Sequence, residues 1–175
     1  MLNDSIHFII TGGTIDSYYK GSIDTVVLRE KSIIPEYIKD LQLYQEIEFS
    51  EICMKDSRDL TREDLKNICI AIDNSIYKKI IVTHGTYTMP NTAKFLQENL
   101  KDKEKVIIIT GAMIPLGGFS PTDASFNLGF AIAKSQNLEN GIYVCMNGKV
   151  FSPDEVFIPQ KKMEFIKEGR FTSMQ

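Results

Sequence analysis

The stretch Ile80-Ile-Val-Thr-His-Gly-Thr-Tyr-Thr-Met-Pro90 decides how this chain reads. An apolar β-branched run stops at His84-Gly85. Three hydroxyl side chains follow, Thr86, Tyr87 and Thr88, and a helix-like segment begins near Pro90. This pattern describes a strand that delivers a small reactive loop to the mouth of a sheet.

Working outward, Ser5-Ile-His-Phe-Ile-Ile-Thr11 reads as a first strand closed by the turn Thr11-Gly-Gly-Thr14. Residues 15–28 suit a flexible loop or an irregular hairpin. Residues 32–41 suit a short helix with Ser32 as a possible cap. A second strand covers 47–54. Thr61 with Asp64 three residues on is close to a capping box, and it opens a helix with Leu65, Ile68, Cys69 and Ile72 at helical spacing. The third strand is 79–83, followed by a helix over 91–100. The fourth is 105–110, followed by Gly111-Ala-Met113 and a Gly/Pro/Ser-rich loop. Asp123 is placed to cap a helix over 124–135, and the fifth strand, 141–146, ends at Asn147-Gly148.

Strands alternating with helices predict an α/β fold, a three-layer, mostly parallel sheet with helices on both faces. The flavodoxin-like order 2-1-3-4-5 is the first choice. Residues 1–150 form the α/β domain. Residues 151–175 form a tail that packs on the body or on a partner subunit, with one or two helical turns over 161–167.

Bulk composition excludes several classes. At 175 residues, 43% hydrophobic and 25% charged, the chain matches one soluble domain. A net charge of −3 offers no basic footprint for nucleic acid. No apolar run is long enough for a membrane span, and the N-terminus has no signal-peptide pattern. Cys53, Cys69 and Cys145 each lie in an apolar run and read as core thiols in a reducing compartment. Two histidines, His7 and His84, do not make a zinc site at this spacing. The expectation is a cytoplasmic protein with no metal and no cofactor.

In the proposed strand order, ligands bind beyond the carboxyl ends of strands one and three, where the order reverses. Thr11–Thr14 and Gly85–Thr88 meet there, with Ser57 after strand two and Gly111-Ala112-Met113 after strand four. Gly12-Gly13 permits positive φ and close approach of backbone N–H groups, which could form an oxyanion hole. Plainer readings stand beside these. Gly-Gly-Thr also makes an ordinary turn, Thr86 and Thr88 also cap helices, and Tyr87 could be a packing residue that closes an empty site. His84 fits a hydrogen-bonded strand end better than a base, Asp123 fits a cap better than an acid, and Asn147-Gly148 reads first as a turn. P-loop spacing is absent.

Thr11-Gly-Gly-Thr-Ile15 and Thr83-His-Gly-Thr-Tyr-Thr-Met89 resemble the two signature motifs of bacterial-type L-asparaginases. Asp56-Ser57, Gly111-Ala-Met113, Asp123-Ala-Ser-Phe-Asn127 and Met146-Asn-Gly148 agree in order. The resemblance runs from the first strand to about Glu155. It covers the N-terminal domain only, as in short single-domain members. It implies that Thr14 is the nucleophile, Thr86 the second threonine and Tyr19 the assisting tyrosine, with Tyr18 an alternative. It also implies that Ser57 holds the substrate α-carboxylate, with Gly13, Asp56, Gly85 and Ala112 in the substrate-binding set.

Two departures bear on activity. The family carries Asp directly after the second Thr, where it orients a catalytic Lys and pairs with the substrate ammonium. Here the residue is Tyr87, and a phenol is neutral at pH 7. The position of the catalytic Lys falls at Ile158, with Lys161 and Lys162 nearby as possible substitutes. A lysine without its aspartate would be a costly unpaired charge, so the two replacements are mutually consistent. The expectation is an asparaginase-like amidohydrolase impaired on free L-asparagine and acting on a modified derivative. The alternative is a catalytically silent homologue that binds a small carboxylate or serves as an oligomeric scaffold. In either case the partners are a small amide or carboxylate ligand and further copies of the chain (dimer or tetramer), with neither nucleic acid nor membrane.

Overall fold

The computed structural model describes residues 4–157 and 166–167. Its frame is a six-stranded sheet in the order β4-β1-β5-β6-β7-β8, formed by β1 (Ile6–Gly12), β4 (Ile47–Lys55), β5 (Lys79–Thr83), β6 (Val106–Thr110), β7 (Gly141–Met146) and β8 (Lys149–Phe151). The first five are parallel and β8 returns antiparallel to β7. The five parallel strands take the expected 2-1-3-4-5 order.

The strands are apolar throughout because both faces are covered. Ile9, Ile80, Val82, Ile107, Ile109, Val144 and Met146 pack towards α2 (Arg62–Asn74) and α3 (Met89–Asn99). Their neighbours Phe8, Ile10, Ile81, Ile108 and Cys145 face α1 (Ile34–Asp40) and α4 (Ala124–Ser135). Each such side chain contributes about 1.5–3 kcal/mol on burial. That outweighs the roughly 1 kcal/mol of a helix cap, so the two apolar layers, rather than local signals, hold the helices on the sheet. Among the described residues no helix is long and apolar enough to cross a membrane.

Local signals set the boundaries. Thr61 and Asp64 form the full reciprocal capping box, and Asn147-Gly148, both at positive φ, make the tight turn between β7 and β8. Residues 15–28 are more regular than expected. β2 (Ser17–Lys20) and β3 (Thr25–Leu28) form an antiparallel hairpin outside the main sheet. In the tail, the backbone of β9 (Val156–Phe157) pairs with β10 (Ile166–Lys167), which replaces the helical turn expected at 166–167. Lys161, Lys162 and Ile158 lie outside the described residues, as does most of the expected tail.

Two expected caps have other partners. Asp123 precedes α4 but makes no side-chain cap bond. Its carboxylate instead accepts the N–H groups of Met113 and Ile114, each at 2.9 Å, while the Thr122 hydroxyl accepts Ala124 N–H. Two bonds to an otherwise open loop satisfy more polar groups than one helix N–H. Thr88 stands at the start of α3, yet its hydroxyl donates to Ser57 O at 2.8 Å and ties two loops together.

Candidate functional site

The register explains why the site lies where it does. Ile10 is level with Thr83, and Thr83 with Thr110, so β1, β5 and β6 end together. Thr11 Oγ1 donates to Thr83 O, His84 N–H to Thr110 O and Thr110 Oγ1 to Cys145 O, all at 2.8 Å. The strand ends are thus cross-tied just before their loops diverge.

The loops then approach one another as only glycine allows. Gly13 has φ +85°, and a Cβ there would lie 2.5 Å from the N and Cα of Gly85. A Cβ on Gly85 would lie 2.8 Å from the Ser57 side chain. These contacts bring the turns after β1, β4 and β5 into one cleft of about 330 Å³. Gly13, Thr14, Asp56, Ser57, Gly85, Thr86 and Tyr87 all line it, together with Ser17, Val26, Leu28, Arg58, Met113 and Pro115.

Seven of the ten residues singled out from the sequence therefore converge. Lys161 is outside the described residues. Ala112 is fully buried in the core and does not line the cleft. Tyr19 is half exposed, hydrogen-bonded to Asp24 and set edge-on against Phe119, and it does not line the cleft although its cross-strand partner Val26 does. The Asp24 bond raises its pKa above the ordinary phenol value. The alternative, Tyr18, stacks under Arg29, whose guanidinium carbon is 5.2 Å from the ring centre, and it does not line the cleft either.

The hydroxyls differ in their engagement. Ser57 is 4% exposed, and its Oγ has no hydrogen-bond partner among the described residues. Such a group in a cleft wall is unusual and is suited to a ligand. Gly13 N–H donates to Lys55 O at 3.0 Å, so the oxyanion donor expected there is already occupied. The reason is the close packing that brings the neighbouring Gly12 against the backbone of Met54 and Lys55 at the end of β4.

Charge in the cleft is arranged around a residue that sequence reasoning missed. Arg58 donates from Nε (2.9 Å) and Nη2 (2.7 Å) to the two oxygens of Asp56. The same guanidinium lies 4.7 Å from the centre of the Tyr87 ring. Hydrogen bonding from Arg58 holds the Asp56 carboxyl below its usual range. The sequence signal was the i, i+2 spacing of opposite charges in Asp56-Ser-Arg58; the stacking on Tyr87 depends on a different loop and left no such signal. Val26 and Leu28 reach the cleft from β3 through the hairpin that sequence alone left irregular.

His84 is fully buried. Its Nδ1 lies 2.7 Å from Gly85 O and its Nε2 lies 2.9 Å from Thr92 Oγ1. A carbonyl only accepts, so Nδ1 carries the proton and Nε2 accepts from Thr92. Burial pulls the pKa down to about 4 against the Gly85 bond, which makes His84 a neutral strut, as its place at a strand end implied. Two residues after Thr14, the buried Asp16 carboxylate accepts the Ser32 hydroxyl and the Ile33 N–H. Burial pushes Asp16 up to about 6 in spite of those bonds. Asn127 ties the far wall, donating to Gly111 O and accepting Asn147 N–H. Among the described residues no group of three or more His, Cys, Asp or Glu could hold a metal ion.

With that geometry in view, the comparisons are consistent. The family model for the asparaginase N-terminal domain matches residues 5–163. L-asparaginase 1 of Escherichia coli K12 is 28% identical over 159 residues, covering 86% of this chain and 46% of that protein. The crystal structure of the probable cytoplasmic L-asparaginase of Campylobacter jejuni superposes with a TM-score of 0.76 at 27% identity, covering 87% of this chain and 49% of that one. L-asparaginase I of Vibrio cholerae shares the fold, with a TM-score of 0.80 at 23% identity over 93% and 51% of the two chains. The chain spans about half the length of the relatives it matches. The strand order, the two Gly-Thr turns that meet at Gly13 and Gly85, and the match over residues 5–163 place this chain in the asparaginase family, where it corresponds to the N-terminal domain.

Proposed function

We propose that this protein is an asparaginase-type amidohydrolase that acts on the side-chain amide of an asparagine derivative and is impaired on free L-asparagine. The observation that carries the reading is the convergence of Thr14, Thr86 and Ser57 in a single cleft whose only carboxylate among the described lining residues, Asp56, is already paired with Arg58. In this reading the Thr14 hydroxyl adds to the amide carbon. Its proton leaves with the amine as ammonia, and water then cleaves the Thr14 ester, releasing the acid and restoring the hydroxyl. Thr86 and the backbone N–H groups around it support the oxyanion. Ser57 Oγ donates to a substrate carboxylate. Free asparagine is a poor fit because Tyr87 supplies no charge for its ammonium, and general-base assistance worth about 10²–10⁴-fold has no evident provider among the described lining residues.

That last point also favours a second reading, a homologue that binds a small carboxylate without turnover. Ammonia release from N-acylated asparagine, compared with free asparagine, separates the two. We expect turnover of the acylated amide, little from free asparagine, and loss of both in Thr14→Ala. Robust hydrolysis of free asparagine would overturn the substrate reading, and no release from either amide would leave the binding homologue. Tyr87→Asp combined with Ile158→Lys should raise the rate on free asparagine by at least about 10²-fold.

A further inference from the structure

Arg58 and Asp56 are the only charged side chains among the described residues that line the cleft. Asp56 accepts both of its charged hydrogen bonds from Arg58, and a third from Arg58 N–H at 2.9 Å. A ligand ammonium entering here therefore meets no free carboxylate and faces a guanidinium. The guanidinium itself is not exhausted. It has five N–H groups, and Asp56 takes Nε–H and one on Nη2, so three have no partner among the described residues. The pair with Asp56 fixes the plane of the fork, and the Tyr87 ring fixes one face at 4.7 Å. Arg58 is thus pre-oriented rather than free to swing, although its side chain is 61% exposed. In the same short turn, the buried Ser57 hydroxyl has no partner among the described residues.

From this arrangement we infer that Arg58 is a specificity-determining residue that binds a second anionic group of the ligand, so that the cleft takes a dicarboxylate monoamide with no ammonium. The inference rests on the amidohydrolase reading for the choice of an amide, and on the charge inventory alone for the anion. Tyr87 serves as the platform that holds the fork. Remaining N–H groups on the edge of the fork suit the planar geometry of a carboxylate, which an ammonium-bearing Lys at this position would not match as well.

Three probes built on one skeleton test it by isothermal titration calorimetry with the full chain at neutral pH. Carbamoylmethylmalonate is asparagine with its ammonium replaced by a carboxylate, succinamate has hydrogen there, and L-asparagine keeps the ammonium. The malonate should bind about tenfold more tightly than succinamate, with asparagine weakest. That advantage should shrink as salt rises, because the guanidinium is exposed. Arg58→Gln should abolish the gap between the malonate and succinamate and, because it leaves the Asp56 carboxylate in the cleft without its guanidinium, should move asparagine up the order, whereas Arg58→Lys should keep part of the gap. Asparagine binding as tightly as the malonate to the unaltered protein would overturn the inference. So would an unchanged order in a folded Arg58→Gln variant, or no measurable heat with any of the three probes at millimolar concentration. The readout is binding, so an Arg58-dependent preference without ammonia release would leave this inference standing and defeat the hydrolase reading. Turnover of acylated asparagine with no dependence on Arg58 would do the reverse.

Discussion

At the amino-terminal edge of the sheet, Lys105 is 2% exposed. Its ammonium donates to Ile72 O (2.5 Å) and Ser75 O (2.7 Å) and lies 3.5 Å from Asp102. Nearby, the two ring nitrogens of His7 meet the hydroxyls of Ser75 and Ser50. A cleft of about 220 Å³ opens beside Lys105. At the carboxyl-terminal edge the cleft is about 330 Å³, and Ser57 Oγ is buried in its wall with no partner among the described residues. The second cavity is half again as large as the first, but a shallow one of about 510 Å³ beside the β2–β3 hairpin exceeds both, so volume does not separate structure from function here. The state of the buried polar groups does. At one edge they close on each other and anchor the end of α2. At the other a donor is left open and a charge pair is half used. A buried donor without a partner costs about 1–3 kcal/mol, which folding tolerates where a ligand restores the bond.

The comparison breaks most severely at Gly13. Alanine there must accept φ +85° and a Cβ at 2.5 Å from Gly85. Gly13→Ala should cost more than about 3 kcal/mol in urea unfolding, with the cleft lost even under conditions where the chain stays folded. Native stability in that variant would mean that the two turns separate freely and that their contact does not build the site.

Lys105→Met probes the opposite edge. It removes the donor from two buried carbonyls and should lower stability by about 2–3 kcal/mol while leaving ligand affinity at the far cleft unchanged. A parallel fall in affinity, measured under conditions where the variant is fully folded, would show that the edges are coupled.

Asp16, two residues after Thr14, sharpens the contrast, because its carboxylate is well bonded and yet desolvated. Its folded pKa is raised from 3.8 to about 6, so the native state keeps this proton to a higher pH than the unfolded chain does. Its contribution to stability is therefore greatest below about pH 4 and declines as pH rises to about 6, with a slope of at most about 1.4 kcal/mol per pH unit. Asp16→Asn should flatten that part of the stability profile. An identical slope in the variant would assign the titration to another group.

Particular residues show how far the sequence could be read. Thr14, Ser57, Thr86 and the flanking glycines were legible because each ends a strand whose apolar run is unmistakable, and the strand order brings those ends together. The capping box at Thr61 was legible because its partners are three residues apart. Asp123 was misread because a cap and a loop clamp begin from the same residue type at the same place. Only the position of Met113 and Ile114, ten and nine residues away, decides between them. Tyr19 was misplaced for a similar reason, since Asp24 and Phe119 compete for it. Arg58 escaped notice because its meaning depends on Tyr87, almost thirty positions on.

Sequence alone was sufficient for the α/β class, the strand order and the place where Thr14, Ser57 and Thr86 meet, because periodicity, glycine placement and residue identity are local properties of the chain. Tertiary structure alone decided the stacking of Arg58 on Tyr87, the Ser57 hydroxyl left without a partner among the described residues, the occupied Gly13 N–H and the raised pKa of Asp16. Each of these depends on desolvation and on distances between loops far apart in the chain, and neither quantity exists until the sheet has assembled.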